Sequence, residues 1–311
     1  MQSRVVLEGK RILITGPAGR IAFPLAAELA PNNEVWGIAR FSDPASRQRV
    51  EQTGVRTRTV DLADPDFGGL PSEFDYVLHL AAHMEGGLDY DRALRVNAEA
   101  TGRLMSRFRS ALAFLVVSTC GVYEPPRDPA HPIRESDPLG TSSQPYSPTY
   151  CISKIAEEAV ARFAAREWSI PTTIARMNVA YGPTGGLPVQ QLELLLAGQA
   201  IPVTKGRRSF CNPIHERDIH AQVPLLLGVA STPATILNWA GDEGVDVEAY
   251  CRYMGDLVGR VPVFEEREDA IHTSCADNTR RRALIGGCRV GWREGLRDVI
   301  ARIHPEIDLP G

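Results

Sequence analysis

The chain has 311 residues, 43% hydrophobic and 23% charged, with a formal net charge of -4. That length supports a large buried core with a smaller appended unit, and mixed charge without a basic stripe argues against a nucleic-acid partner. No stretch approaches the ~18 apolar residues of a membrane span, the N-terminus lacks the apolar run of a signal peptide, and the six cysteines include no Cys-x-x-Cys pair. The expectation is a soluble, cytoplasmic protein with no membrane partner, no disulfide framework and no bound metal.

In chain order, Arg11-Ile12-Leu13-Ile14-Thr15 is a short apolar run suited to a buried parallel strand. It enters Gly16-Pro17-Ala18-Gly19-Arg20-Ile21-Ala22 and then a helical pattern to about Ala30. Strand, glycine turn and helix form the context of a dinucleotide fingerprint. Gly16 permits the sharp turn, Gly19 allows a pyrophosphate to approach the helix N-terminus, and Ala22 is small where a third glycine often stands. Pro17 departs from the pattern by removing one backbone N–H. Strands are predicted over 11–15, 34–39, 56–60, 75–80, 112–118, 172–176 and 235–239. Helices are predicted over 19–30, 45–52, 89–108, 149–168, 214–229, 247–258 and 292–303. This alternation predicts an α/β fold, a doubly wound parallel (Rossmann) sheet.

At the end of the second strand, Ala39 stands where an NAD-selective site places a carboxylate, and Arg40 follows it. A guanidinium grips a 2′-phosphate with forked, charge-assisted hydrogen bonds, so NADP(H) is favoured and NAD(H) is the alternative. Ser42 and Arg20 are at hand to assist, and Asp43 is the nearby competitor. Further on, Ser147-Pro148 reads as a helix start ahead of Tyr150-Cys151-Ile152-Ser153-Lys154. Residues four apart share a helix face, so phenol and ammonium would project together. A phenol ordinarily titrates near pH ~10, and a neighbouring cation lowers that value toward useful acid–base chemistry. His79 reads as a core residue and His83 as a residue near the pocket. Cys120 and Cys151 read as bystanders, because no nucleophile-activating partner accompanies them.

The ordered motifs resemble those of extended short-chain dehydrogenases/reductases, often called the NAD-dependent epimerase/dehydratase family. They are Thr15-Gly16-x-x-Gly19, Asp61-Leu62, Leu80-Ala81-Ala82, Asn97, Ser118-Thr119-x-x-Val122-Tyr123, Tyr150-x-x-x-Lys154 and Arg176-x-Asn178-x-x-Tyr181-Gly182-Pro183. Past residue 183 the match thins to Pro213-Ile214-His215-Glu216-Arg217-Asp218. The resemblance implies that Thr119, Tyr150 and Lys154 are catalytic. Thr119 would bond the reacting oxygen, Tyr150 would exchange its proton, and Lys154 would hold the nicotinamide ribose and lower the Tyr150 pKa. It also implies a cofactor-binding set of Gly16, Ala18, Gly19, Arg20 and Ile21 at the turn, with Arg40, Asp61 and Leu62 toward the adenosine. Leu80, Ala81 and Ala82 would pass beneath the cofactor, and Asn97, Ser118, Tyr150, Lys154 and Asn178 would complete the set.

The same resemblance implies a dinucleotide-binding domain over 1–179 and 212–246, and a smaller substrate domain over 180–211 and 247–311. It further implies a homodimer through the helices at 89–108 and 149–168, a lid over 124–147 and a small-molecule substrate. Departures narrow the chemistry. Cys120-Gly121 replace the Asp-Glu pair of family dehydratases, which removes the groups needed for water loss. Cys211 replaces an arginine that grips a nucleotide-sugar diphosphate, although Arg207 and Arg208 lie just upstream, and Glu124 replaces a glycine at the pocket rim. The favoured reading is a net NAD(P)-dependent oxidoreductase. The alternative is a nucleotide-sugar epimerase that oxidises transiently with bound NAD. A non-catalytic dinucleotide sensor ranks last, because Thr119, Tyr150 and Lys154 are all retained.

Overall fold

The structure, a computed structural model, describes residues 5–140 and 144–310. Its centre is a seven-stranded parallel sheet of β1 (Arg11–Thr15), β2 (Glu34–Ala39), β3 (Arg56–Thr59), β4 (Tyr76–His79), β5 (Ala113–Thr119), β6 (Thr172–Met177) and β11 (Thr235–Trp239). The spatial order is β11-β6-β5-β4-β1-β2-β3. Ile12, Leu13 and Ile14 of β1 are fully buried because helices cover both faces, which explains a continuous apolar run where an exposed sheet would alternate. On one face α1 (Ala22–Leu29) and α7 (Glu216–Gly228) pack on Ile12, Ile14 and Leu237. On the other, α4 (Ala100–Arg107) and α5 (Tyr150–Glu167) pack on Leu13, Val77 and Ile174. Chain order reverses between β1 and β4, and a crevice opens there at the carboxyl ends of the strands.

The first helix begins at Ala22 instead of 19, because residues 16–21 are spent on the turn: Gly16 has φ +67° and its carbonyl accepts the N–H of Gly19 at 2.9 Å. The helix expected over 89–108 is three segments: α3 (Tyr90–Leu94), a π-helical turn (Arg95–Glu99) and α4. Ala100 N–H reaches Arg95 O across five residues, and the wide turn carries the buried Asn97. Short helices such as α2 (Pro44–Glu51) are where the pattern placed them, with Asp43 capping the amides of Ala45 and Ser46.

The later half holds elements that the sequence pattern did not place, most of them too short to show a period. They are β7 (Ala180–Tyr181), α6 (Leu187–Leu196), β8 (Ile201–Thr204), β9 (Phe210–Cys211), β10 (Ile214–His215), β12 (Val245–Asp246), β13 (Phe264–Arg267) and α9 (Thr279–Ile285). With α8 (Val247–Val258) and α10 (Trp292–Ile303), several of them enclose a separate apolar core of Leu192, Leu195, Tyr250, Met254, Trp292 and Leu296. The loop expected as a lid is tied down in its described part. Ile133 pairs with Ala276, Ile133 N–H donates to Cys275 O at 2.9 Å, and Gln144 Nε2 donates to His272 O at 3.0 Å. Residues 141–143 of that loop lie outside the described residues. Among the described residues, no helix is long and apolar enough to cross a membrane, and no group of three or more His, Cys, Asp or Glu side chains is set to hold a metal.

Candidate active site

A cleft of about 1050 Å³ runs along the carboxyl ends of the strands. Gly16, Ala18, Gly19, Arg20 and Ile21 line one end, with Ala39, Arg40, Asp61 and Leu62 beside them. Leu80, Ala81, Ala82 and His83 form its middle, and Ser118, Thr119, Tyr150 and Asn178 lie further along. Beyond these it continues to Gln190, Thr204, Arg207, Arg208, His272 and Thr273. The turn fits a dinucleotide phosphate: Gly16 takes a positive φ and packs close on Ala81, where an added side chain would meet Cα at 3.2 Å and Cβ at 3.3 Å.

Tyr150 opens α5 and Thr119 closes β5, so a helix start and a strand end bring two hydroxyl side chains to the same cleft. Thr119 Oγ accepts the N–H of Gly121 at 3.0 Å, which fixes its rotamer. Burial pushes the Tyr150 phenol well above the ordinary tyrosine range; Tyr146 and Glu157 add to that, and the Thr119 hydroxyl opposes it. The floor is a buried polar network. Arg176 Nη2 donates to Glu158 at 2.7 Å, Ser118 Oγ donates to Glu158 at 2.5 Å, and Tyr123 Oη donates to Asn238 at 2.5 Å. The Ser118 hydroxyl is thereby turned to Glu158, not offered to a cofactor.

Two expected cofactor residues stand behind the wall of the cleft and not in it. Lys154 is 1% exposed, its Nζ donates to Val117 O at 2.8 Å, and it contacts the Glu157 carboxylate. The expectation that the ammonium projects beside the phenol and acidifies it is corrected: a buried carboxylate has drawn it inward. Asn97, fully buried, accepts His83 N–H at 2.6 Å and donates to His83 O and Ser153 Oγ, so it ties the loop after β4 to α5. Asn178 lines the cleft, yet its amide is a staple: it donates to Ser274 O at 2.9 Å and accepts the N–H groups of Val179 and Asn212. Asp61 lines the cleft and also caps its own turn through Ala63 N–H at 2.9 Å.

Arg40 reaches across the mouth of the cleft to Glu85 at 3.1 Å, both side chains about half exposed. Asp43 is committed to its helix cap and does not compete at the ribose position. His79 is fully buried, and His83 lines the cleft. Sequence reasoning missed Glu157, although its place three residues after Lys154 on the buried face of α5 was a readable signal. It also missed Gln144 and Thr273. Their Oε1 and Oγ1 atoms are buried without a hydrogen-bond partner among the described residues, and both residues line the cleft.

Comparison with solved structures finds the same fold. The UDP-glucuronic acid 4-epimerase of Bacillus cereus, in complex with NAD and a fluorinated UDP-sugar, aligns with a TM-score of 0.80 at 20% identity, covering 95% of this chain and 99% of that one. The UDP-N-acetylglucosamine 4-epimerase of Methanobrevibacter ruminantium aligns with a TM-score of 0.80 at 18% identity, covering 96% and 100%. The UDP-glucose 4-epimerase of Thermotoga maritima gives 0.77 at 20% identity, covering 95% and 99%. No curated protein sequence matches this chain. The model of the NAD dependent epimerase/dehydratase family matches residues 12–205, most of the chain and every motif from the glycine turn through Tyr150 to Gly182. The chain is therefore an NAD(P)-dependent enzyme and belongs to the NAD dependent epimerase/dehydratase family.

Proposed function

We propose that this enzyme moves a hydride at a hydroxyl-bearing carbon of a nucleotide-linked sugar and returns it within the same turnover, as an epimerase. The observation that carries the reading is the Tyr150–Thr119 hydroxyl pair, set in a cleft that runs unbroken from the Gly16 turn to Arg207 and Arg208. A bound nicotinamide dinucleotide supplies the two-electron acceptor and donor. The chain supplies the rest. Thr119 holds the reacting oxygen against Tyr150, which as phenolate takes the proton when a hydroxyl is oxidised and as phenol gives it back when a carbonyl is reduced. Arg207 is held by the Pro126 carbonyl and Arg208 by Asp246, with the Arg208 side chain 69% exposed. A diphosphate arriving there would gain charge-assisted bonds while displacing only modest ones. The UDP-sugar epimerases of the same fold support this substrate class. Dehydration is disfavoured: burial pushes the Cys120 thiol up to about 12, and a side chain on Gly121 would meet Cys151 Sγ at 3.1 Å.

A net oxidoreductase working with NADP(H) is the second reading, favoured by Arg40 beside an Ala39 that offers no carboxylate and by the commitment of Asp43 to its cap. In either case the unit over 180–211 and 247–311 would contribute the substrate contacts, and a homodimer through α4 and α5 is part of the proposal. Denaturing the purified protein and identifying the released nucleotide separates the readings. Stoichiometric NAD⁺ supports the epimerase; an empty protein that prefers NADPH supports net redox. Tyr150→Phe is expected to lower kcat by about 10²–10⁴-fold with cofactor affinity little changed. Near-normal turnover in that variant rules out the assigned chemistry.

A further inference from the structure

We propose that Glu85 is a specificity-determining residue for the dinucleotide: it occupies Arg40 across the cleft mouth and sets a carboxylate where a 2′-phosphate would enter, so that the site disfavours NADP(H). The inference rests on the dinucleotide cleft and on neither substrate reading. Arg40 taken alone favours a 2′-phosphate, because Ala39 at the end of β2 leaves the ribose position without a carboxylate. Glu85 brings one to Arg40 from a different strand.

The pair joins two walls that flank the glycine turn. In the sheet, β1 lies between β4 and β2. The turn that follows β1 is fastened to both neighbours: Gly16 N–H donates to Ile38 O at 2.8 Å, and Gly16 packs on Ala81. A link from Arg40, just past β2, to Glu85, in the loop after β4, therefore spans that turn. Arg40 Nη2 donates to Glu85 Oε1 at 3.1 Å, and both residues line the cleft.

Both ends of the link are anchored, which separates it from an incidental surface pair. Glu85 O accepts the Ser147 hydroxyl at 3.1 Å, and Ser147 is fully buried. Two residues before Glu85, His83 is gripped through its N–H and its carbonyl by the buried Asn97. These bonds hold the loop that carries the carboxylate. On the other wall, Phe41 follows Arg40 with φ +47°, a left-handed conformation that a bulky residue holds only where its surroundings impose it. Phe41 packs against the core that contains Ile12 and Ile14, so the chain direction at Arg40 is built in.

Charge then decides what can enter. Asp43 is spent on its helix cap, and His83 Nδ1 stands 3.9 Å from Glu85 Oε1, beyond hydrogen-bond reach. A 2′-phosphate would have to take Arg40 from Glu85 and then lie beside the carboxylate it displaced, like charge against like charge. The ribose of NAD carries a neutral hydroxyl at that position, and a hydroxyl can donate to a carboxylate.

The test titrates the full-length, cofactor-free protein with NADH and NADPH, read by nicotinamide fluorescence, in the wild type, Glu85→Gln and Glu85→Lys. The ratio of the two dissociation constants is the readout. Glu85→Gln should move the ratio about three- to fivefold toward NADPH, the worth of one exposed charge pair, and Glu85→Lys should move it further. The Glu85 side chain is 54% exposed, so both variants should fold. A ratio unchanged in both variants overturns the proposal. So does an equal gain for the two dinucleotides, which would set Glu85 against the pyrophosphate they share. A protein that bound neither dinucleotide in any form would overturn the dinucleotide cleft itself, and the proposal with it.

Discussion

Glu158 and Arg176 hold the floor of the site together, and each side chain is 3% exposed. The guanidinium donates to Glu158 Oε2 from Nη2 at 2.7 Å and to Oε1 from Nε at 2.9 Å, while Ser118 Oγ donates to Oε1 at 2.5 Å. Glu158→Ala removes these contacts and leaves Arg176 with the neutral oxygens of Tyr123 at 3.0 Å and Glu135 at 3.2 Å. Truncating one partner of a buried pair strands the other charge away from water, at a cost of about 3–5 kcal/mol. A native domain has only about 5–15 kcal/mol in total, so the variant is expected to fold but to be marginal. The intact pair is itself worth little, because desolvation offsets its attraction. Glu158→Leu combined with Arg176→Met should therefore recover most of the loss. Urea unfolding of the cofactor-free proteins, followed by circular dichroism, measures all of these. If Glu158→Ala costs less than about 1 kcal/mol, as a solvated pair would, the reasoning fails. It also fails if the losses of the two single variants simply add.

Two further outcomes follow from the cleft mouth and from the C-terminal helix. Arg40→Ala should weaken NADPH binding by about 1.5–3 kcal/mol, the usual worth of a hydrogen bond to a charged group, and leave NADH binding nearly unchanged. Equal losses for both dinucleotides would remove Arg40 from the 2′-phosphate site. At the end of α10, His304 bonds Glu193 of α6 at 2.8 Å, and that partner, against partial burial, holds the imidazole above its ordinary value. A raised histidine stabilises fully below its unfolded value of about 6.5 and loses that stabilisation as pH rises through the folded value. His304→Gln should accordingly lower the melting temperature at pH ~5.5 and match the wild type at pH ~9, by no more than about 1 kcal/mol in all for a surface pair. A deficit that grew with pH would contradict the assignment.

Much of the architecture is written locally. Arg11–Thr15, Glu34–Ala39 and Val247–Val258 lie where apolar runs and helical spacing put them, because burial on both faces or along one stripe leaves a repeating mark. Residues scattered from Gly16 to Asn178 line one cleft because a parallel sheet gathers the carboxyl ends of its strands at one edge, and the order of motifs already implied that gathering. The two-residue strands at Ala180–Tyr181 and Phe210–Cys211 left no such mark, since two residues show no period. Nor did spacing reveal where Lys154 would turn. Four residues place it on the face of Tyr150, yet Val117 and Glu157 decide that its ammonium points inward. Gln144 and Thr273, far apart in the chain, become walls of one cleft only when the segment around Ala276 pairs with Ile133. Sequence spacing determined which residues share an element and a face. Tertiary structure decided what each long or polar side chain meets there, because a buried charge takes its direction from partners that distant segments supply.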